Sequence, residues 1–162
     1  MASRPDKDAC GPSAYQRALG LLVRREHSRK ELVRKLRAKG VDGEEMGVAL
    51  DTLRRQDFQN DERFAEALAR MRAGAGYGPL RIRAELATHG LGRDLVEAAL
   101  EACSVDWRAS ADGLVARRYG TKDLSDPATR RKAHDFLLRR GFDQRTAQAA
   151  IKLGAASVDF DE

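Results

Sequence analysis

The chain has 162 residues but only two cysteines, four prolines and 6% aromatic residues, and each scarcity excludes a class of protein. Cys10 and Cys103 lie far apart and in no metal-ligand spacing, which favours a reduced cytosolic chain over a disulfide-rich secreted one. No apolar run approaches the roughly 18 residues that a membrane span requires. The first residues also lack the apolar segment of a secretory signal. We therefore expect a cytoplasmic protein with no membrane partner.

What the chain does contain favours helices and an acidic partner. Hydrophobic residues make up 42% and charged residues 34% of the sequence. Ala, Leu, Arg and Glu dominate while β-branched residues are sparse, a composition typical of all-α proteins. The formal charge of +5 suits a negatively charged partner, such as nucleic acid or an acidic protein surface. The same charge also keeps a small domain soluble, so composition alone leaves both explanations open.

Three segments of the sequence align with one another, at 28–50, 78–100 and 129–151. Each has a glycine twelve residues after its start, an apolar residue directly after the glycine and another apolar residue ten positions past it. The glycines are Gly40, Gly90 and Gly141, with spacings of 50 and 51 residues. A fixed period of this length predicts tandem supersecondary units that stack on one another.

Each repeat is predicted to hold a pair of helices joined at the glycine, which supplies a left-handed C-terminal cap. Ser28 and Thr129 are expected to cap the first helix of the pair in repeats 1 and 3, and Pro79 to begin it in repeat 2. Asp42 and Asp143 are expected to cap the second helix in repeats 1 and 3. Apolar residues four apart place one face of each first helix in the core. They are Leu32 with Leu36, Ile82 with Leu86, and Ala133 with Leu137.

A further amphipathic helix precedes each pair, at 14–26, 61–73 and 110–118. The predicted fold is therefore all-α: three tandem three-helix repeats stacked into an elongated, curved, right-handed or solenoid-like array. A single compact bundle of nine helices is the alternative. The predicted boundaries are a disordered N-terminal tail at 1–13, repeats at 14–58, 59–105 and 106–153, and an acidic C-terminal tail at 154–162.

The stretch Gly74–Pro79, with sequence GAGYGP, interrupts the helical pattern of repeat 2. A phosphate-binding loop would follow a strand and end in Lys followed by Ser or Thr, whereas this stretch follows a helix and ends in Pro-Leu-Arg. We interpret it as a corner between two helices, in which the glycines allow positive φ and close chain approach. Tyr77 in the corner either stacks on a base or packs on a neighbouring helix, and the sequence favours packing.

Three segments resemble the RecX family, in the right order and across residues 14–152. Residues 77–86, YGPLRIRAEL, look like the start of that family's middle repeat. Residues 57–65, DFQNDERFA, look like the family's segment at the start of repeat 2. Residues 27–32, HSRKEL, look like the start of its paired helices in repeat 1. Two positions depart from the pattern: Gln59 stands where many members have an apolar residue, and Ala133 makes repeat 3 weaker.

The resemblance implies a regulatory role. RecX-like proteins bind the filament that the RecA recombinase forms on single-stranded DNA. They lie along its groove and limit filament growth, strand exchange, ATP turnover and co-protease activity. The expected partner is thus the RecA filament, with direct DNA contact as a second expected interaction, and a monomer is sufficient. The alternative is a general nucleic-acid-binding helical repeat protein without a recombinase target, and an adaptor that joins two proteins is a third hypothesis.

Basic residues concentrate in two segments that suit such a partner. Segment 24–39 holds eight basic and two acidic residues, and segment 117–140 holds eight basic and three acidic ones. The third helices of repeats 1 and 2 are instead rich in acid, so charge is sorted by helix position. We predict a basic face that contacts phosphates or acidic protein surfaces. Its residues are Arg24, Arg25, Arg29, Lys30, Arg34, Arg37, Arg81, Arg83, Arg130, Arg131, Lys132, Arg139 and Arg140.

Little else in the sequence suggests chemistry. The three histidines, His27, His89 and His134, have no metal-type spacing, so no metal or cofactor is expected. Ser28 beside His27 is explained as a helix cap rather than a nucleophile. We therefore predict no catalytic residue and no enzyme activity.

Overall fold

The computed structural model describes residues 11–156, which form nine α-helices and no strand. The described part divides into two compact units, and the division falls between Phe64 and Ala65 inside the fourth helix. The helices are α1 (Ala14–Leu22), α2 (Arg29–Ala38), α3 (Gly43–Arg55), α4 (Asp61–Gly74), α5 (Pro79–Thr88), α6 (Arg93–Ala102), α7 (Trp107–Tyr119), α8 (Pro127–Arg140) and α9 (Gln144–Ala156). The prediction of an all-α fold with three tandem three-helix repeats is confirmed.

The first unit contains repeat 1, in which α1, α2 and α3 all pack against one another. Its core is built on Leu32 and Leu36 of α2, which are both fully buried as their four-residue spacing predicts. Ala18 from α1, with Leu50 and Leu53 from α3, completes the centre of this cluster. Three short amphipathic helices thereby bury one apolar stripe each, the arrangement that most stabilises helices too short to persist alone.

The second unit contains most of repeat 2 and all of repeat 3. In repeat 3, α9 packs against both α7 and α8. Phe142, directly after the glycine, is 1% exposed and lies in the core with Leu137 and Ile151. In repeat 2, α5 packs on α6, and Ile82 and Leu86 are fully buried. Ala133, the weak position of repeat 3, is also fully buried, with Phe136 beside it in the same core.

Most of the predicted caps are present. Ser28 Oγ accepts from the backbone N–H of Glu31 at 3.1 Å, which explains this serine as a structural residue. Asp42 accepts from the first turn of α3, and Asp143 accepts from Thr146 N at 2.9 Å. The repeat glycines all have positive φ, the left-handed conformation that ends a helix at low cost. These φ values are 73° at Gly40, 73° at Gly90 and 92° at Gly141.

Three predictions about helix ends were wrong. Helix α7 begins at Trp107 rather than at residue 110, because Asp106 is its N-cap. Thr129 does not cap α8, because the helix begins at Pro127 and Asp126 is its N-cap, which accepts from Thr129 N at 2.8 Å. The first helix ends at Leu22 rather than Glu26. The freed Glu26 instead accepts a hydrogen bond at 2.9 Å from Arg63 Nε. Glu26 is therefore held by a side-chain contact with a residue far away in sequence and not by a last turn of α1.

The predicted tails lie mostly beyond the described residues. Residues 1–10 of the N-terminal tail and 157–162 of the C-terminal tail are outside the described range. Ser13, assigned to the N-terminal tail, is the N-cap of α1 and forms a capping box with Gln16. Residues 154–156, assigned to the C-terminal tail, belong to α9.

Gln59, which stands where many members of the resembling family have an apolar residue, is buried, and its amide nitrogen is hydrogen-bonded. The residue is 2% exposed, and its Nε2 donates to Asp61 Oδ1 at 2.9 Å and to the carbonyl of His27 at 3.3 Å. The same Asp61 oxygen accepts from Arg29 N at 2.9 Å. Because a buried amide is costly unless it is hydrogen-bonded, these bonds explain how the departure from the family pattern is tolerated.

The corner in repeat 2 is a backbone joint with the end of α8. Gly78 N donates to the carbonyl of Arg140 at 2.7 Å, and Leu80 N donates to that of Gly141 at 3.0 Å. A Cβ added at Gly78 would lie 2.5 Å from the Gly141 carbonyl carbon and oxygen. Gly76 has a φ of 80°. The interpretation as a helix corner that needs glycine is thus confirmed. Backbone N–H groups at the start of α5, which have no partner inside their helix, donate to carbonyls at the end of α8.

Candidate partner-binding surface

In repeat 1, α2 presents a row of exposed basic side chains. Lys30, Arg34 and Arg37 are exposed and follow one another at four- and three-residue intervals, which places them on one side of the helix. Within the part of the chain that the structure describes, Arg34 and Arg37 form no ion pair or side-chain hydrogen bond. Arg24, before the helix, is exposed in the same way. The opposite side of α2 is fixed by Leu32 and Leu36 in the core, so the fold itself holds this row toward solvent.

A buried ionic cluster lies at the start of the same helix, centred on the carboxylate of Glu31. Glu31 is 7% exposed. Arg25 donates to its two oxygens at 2.5 and 3.2 Å, and Lys35 Nζ lies 3.2 Å from one of them. Lys35 Nζ also lies 3.0 Å from Nε2 of His27, whose Nδ1 is 3.0 Å from the carbonyl of Arg25. Arg25, predicted for the basic face, is therefore committed to a structural ion pair.

The cluster shifts two pKa values. Burial alone would raise the pKa of Glu31, but hydrogen bonds from Arg25 and Lys35 outweigh it and lower that pKa to about 2. Burial lowers the pKa of His27 below its usual range, although its bond to the carbonyl of Arg25 and the charge of Glu31 act in the opposite direction. Because an ammonium group only donates, Nε2 of His27 is placed to accept from Lys35, and Nδ1 is placed to donate to the carbonyl of Arg25.

Two more predicted residues are engaged by acids of the third helices. Arg29 forms an ion pair with Asp51 of α3 at 2.8 Å. Arg83 binds Glu97 of α6 through two hydrogen bonds of 2.7 and 2.8 Å, which hold the pKa of Glu97 below its usual range. The predicted sorting of charge into a basic and an acidic side is thus partly cancelled within repeats 1 and 2, because some acids of the third helix neutralise bases of the second.

In the second unit, Tyr77 is surrounded by arginines. The guanidinium carbons of Arg81 and Arg140 lie 4.8 and 4.9 Å from its ring centroid, and that of Arg72 lies 5.9 Å away. Arg140 also donates to the carbonyl of Ala75 at 3.0 Å, and Arg81 donates to that of Arg139 at 3.4 Å. The half-buried ring stacks on cations from α5 and α8 beside the glycine joint. Arg81 and Arg140 therefore stabilise the corner, and of the two Arg81 is the exposed residue.

Helix α8 carries the remaining predicted residues on exposed positions. Arg130 donates to the carbonyl of Ser125 at 3.0 Å. Arg131, Lys132 and Arg139 are exposed, and in the described residues their side chains have no ion pair or hydrogen bond. The core residues Ala133 and Leu137 fix the opposite side of α8. The structure thus keeps uncompensated positive charge on α8 of the second unit, as it does on α2 of the first.

Sequence reasoning missed residues whose roles depend on contacts. Arg118 lies with its guanidinium carbon 4.7 Å from the ring centroid of Phe136, next to Arg140 at 5.3 Å from the same ring. Arg72 binds Glu85 through hydrogen bonds of 2.8 and 2.7 Å. No spacing in the sequence reveals these partners, whereas the four-residue spacing of Glu31 and Lys35 on α2 does carry a detectable signal.

Residues 11–156 contain no group of three or more His, Cys, Asp or Glu arranged to hold a metal ion. In the same part of the chain, no helix is both long enough and apolar enough to traverse a bilayer. His27 is committed to the ionic cluster described above, and His134 Nδ1 lies 3.9 Å from the carboxylate of Asp135.

Comparison with known proteins identifies the repeats. Family models match in chain order: the first three-helix domain of RecX at residues 14–56, the second at 60–100 and the third at 107–151. The chain is 53% identical over 137 residues to the regulatory protein RecX of Xanthomonas axonopodis pv. citri (strain 306), covering 85% of each chain. It is equally identical to that of Stenotrophomonas maltophilia (strain R551-3), covering 85% of this chain and 84% of the relative.

Solved structures agree at the level of the fold. The crystal structure of RecX from Lactobacillus salivarius superimposes with a TM-score of 0.69 at 24% identity, over 88% of this chain and 95% of that one. A second crystal structure of a regulatory protein RecX gives a TM-score of 0.67 at 23% identity, over 83% of this chain and 68% of that one. Given the three matching domains and the identity to curated relatives, the chain belongs to the RecX family.

Proposed function

We propose that this chain regulates the RecA recombinase in the cytoplasm, mainly as an inhibitor, by binding the RecA filament on single-stranded DNA. Membership in the RecX family supports RecA as the target. In this proposal the bound protein limits filament growth, and with it strand exchange, ATP turnover and co-protease activity. The protein acts as a monomer and binds through side chains, with no chemical step of its own.

Exposed arginines on α2 and exposed arginines and a lysine on α8, with no ion pair among the described residues, are the observation that carries the proposed binding mode. Arg25, Arg29 and Arg83 are all paired with carboxylates of their own repeat. By contrast, Arg34, Arg37, Arg131, Lys132 and Arg139 are exposed and unpaired within the described residues. Such side chains release counterions when they meet phosphates or acidic protein surfaces, and they give affinity without base specificity. The binding surface is therefore narrower than the thirteen residues predicted from sequence.

The test compares two double charge reversals with equal changes in net charge. We expect Arg34→Glu with Arg37→Glu to weaken binding to RecA-coated DNA at least about tenfold, a loss of about 1.4 kcal/mol. Arg54→Glu with Arg55→Glu reverses two exposed arginines at the end of α3 and serves as the matched control. Binding is measured by fluorescence anisotropy of labelled chain, with circular dichroism to show that both variants fold. Equal losses in the two variants would mean that only net charge matters, and the basic face would be wrong.

The same assay shows whether the target is the RecA filament or bare DNA. Labelled chain is titrated with single-stranded DNA alone and with that DNA coated by RecA and a non-hydrolysed nucleotide, at two salt concentrations. We expect much tighter binding to the coated DNA. Equal affinity for bare DNA with a steep salt dependence would instead identify a general nucleic-acid-binding repeat protein. Arg131→Glu with Lys132→Glu tests whether α8 contributes in the same way as α2.

A further inference from the structure

Repeat 3 contains an open groove of about 900 Å³ between α8, α9 and the segment that leads into α8. Its apolar residues have no role in the proposed function. They are Leu124, Pro127, Ile151 and Ala155. Leu124 and Ile151 are buried and belong to the core of the repeat, so the floor of the groove is the surface of that core. A concave, mostly apolar site of this volume fits the side chains of a short peptide.

Contacts between its three walls fix the shape of the groove. Leu124 packs on Gly154 of α9, where an added Cβ would lie 2.8 Å from Leu124 Cδ1. Arg130 of α8 donates to the carbonyl of Ser125 at 3.0 Å. The segment before α8 is thus attached to both helices that form the groove. A ligand therefore meets a preformed surface, and its binding costs little ordering of the chain.

The rim of the groove is cationic. Arg130 and Arg131 of α8 and Lys152 of α9 line it, and all three are exposed. Arg131 and Lys152 have no ion pair or side-chain hydrogen bond among the described residues. None of the described residues that line the groove is acidic, so its positive charge is not neutralised from within. A ligand that carries carboxylates beside an apolar group therefore complements both the rim and the floor.

The floor favours a peptide over a nucleic acid. Proteins that bind single strands stack the bases on aromatic rings, and none of the described residues in the lining is aromatic. The leucine and the isoleucine of the floor match an aliphatic side chain, which a sugar-phosphate backbone lacks. Phosphates would pair with the rim alone and leave the floor uncovered.

The length of the groove sets the spacing of the ligand. On each helix the lining covers a rise of seven residues, from Pro127 to His134 and from Gln148 to Ala155, which is about 10 Å. In an extended peptide, residues two apart point to the same side and lie about 7 Å from each other. An apolar side chain in the middle of the groove therefore brings acids two positions before and after it near the two ends, on the side that faces the groove.

We infer that this groove binds an extended segment of a partner protein in which an apolar residue lies between two acids, each two positions away. The apolar side chain rests on Leu124 and Ile151. The carboxylates pair with Arg130, Arg131 and Lys152. Arg131 also belongs to the proposed basic face, so if the proposed function holds, on which this consequence rests, α8 contacts a protein rather than DNA.

The binding is tested with a fluorescein-labelled peptide of sequence GDSLSDG, titrated with the full chain and followed by fluorescence anisotropy. Replacing its leucine by serine should weaken binding at least about tenfold, because the floor then buries no apolar side chain. Replacing both aspartates by asparagine should weaken it about fivefold. Equal affinity of the leucine and serine peptides would overturn the inference, because charge alone would then attract the peptide.

Two variants of equal charge locate the site on the chain. Arg131→Gln with Lys152→Gln should weaken binding of the leucine peptide about fivefold. Arg117→Gln with Arg145→Gln removes two exposed arginines of the same repeat that do not line the groove, and it is the matched control. Circular dichroism shows that both variants fold. Equal losses in the two variants would overturn the placement of the peptide in this groove.

Two further measurements identify other occupants. Displacement of the bound peptide by unlabelled oligothymidine at equal concentration would assign the groove to nucleic acid. A dimer of the chain that the peptide dissociates, seen by sedimentation velocity, would mean that a second copy occupies the groove. Either result would overturn the inference. None of these measurements contains RecA, so failure of the charge-reversal test on α2 would count against the proposed function alone.

Discussion

Replacement of Glu31 by glutamine is the sharpest test of how repeat 1 is stabilised. Each tenfold change in proton affinity corresponds to about 1.4 kcal/mol. A carboxyl group whose pKa falls from 4.5 to about 2 on folding therefore contributes about 3 kcal/mol at neutral pH. We expect Glu31→Gln to lose about this amount, because Arg25 and Lys35 keep their charges beside a neutral amide. Urea unfolding followed by circular dichroism measures the loss.

The pH dependence separates this explanation from a simple packing effect. Between pH 4.5 and 2 the unfolded Glu31 binds a proton that the folded one does not, so this contribution is present above pH 4.5 and lost as the pH falls toward 2. The gap in unfolding free energy between the wild type and Glu31→Gln should shrink by about 2 kcal/mol between pH 7 and pH 3. A gap that stays constant over this range would refute the reasoning.

A control substitution tests whether the burial of Glu31 determines the size of the loss. Glu66 forms an ion pair with Arg70 at 3.3 Å, but both side chains are largely exposed. Glu66→Gln should therefore cost no more than about 0.5 kcal/mol. A loss equal to that of Glu31→Gln would mean that the depressed pKa of Glu31 is not a measure of its stabilising effect.

Two further substitutions test the backbone features. Gly78→Ala should cost about 2 kcal/mol or more, because its Cβ meets the Gly141 backbone at 2.5 Å, whereas Gly74→Ala, with nothing within 4 Å, should be neutral or stabilising. Thermal unfolding distinguishes them, and an equal Tm for both variants would contradict the tight joint. Asp126→Ala should lower the Tm more than Thr129→Ala, because Asp126 is the N-cap of α8. The reverse order would mean that Thr129 is the cap.

The features predicted correctly from sequence are those that depend on a few neighbouring residues. A glycine twelve residues into each repeat ends a helix for reasons local to the backbone, so Gly40, Gly90 and Gly141 were identifiable without a structure. The burial of Leu32 and Leu36 likewise follows from helical spacing. The cap of α8 was misassigned because alignment of the repeats put Thr129 level with Ser28, while Asp126, three residues earlier, was an equally good cap.

The basic face was harder to predict because availability depends on partners from other helices. Arg83 and Arg34 look alike in the sequence, since each lies on the second helix of its repeat among other charges. Arg83 is bound by Glu97, 14 residues away on α6, whereas Arg34 is exposed and unpaired in the described residues. Local patterns give the direction of a side chain, but only the packing of α5 on α6 decides which carboxylate reaches it.

The joint at Gly78 and Gly141 has a consequence for how this protein diversifies. Its two hydrogen bonds run from backbone to backbone, so the spacing of α5 and α8 does not depend on which side chains those helices display. Exposed residues such as Arg131 and Arg139 are then free to change during evolution without altering the frame that holds them. The two glycines, by contrast, admit no larger residue. Substitutions that change partner preference should therefore accumulate on the exposed faces of α5 and α8. The two glycines should stay unchanged, because they hold the two helices at a fixed spacing.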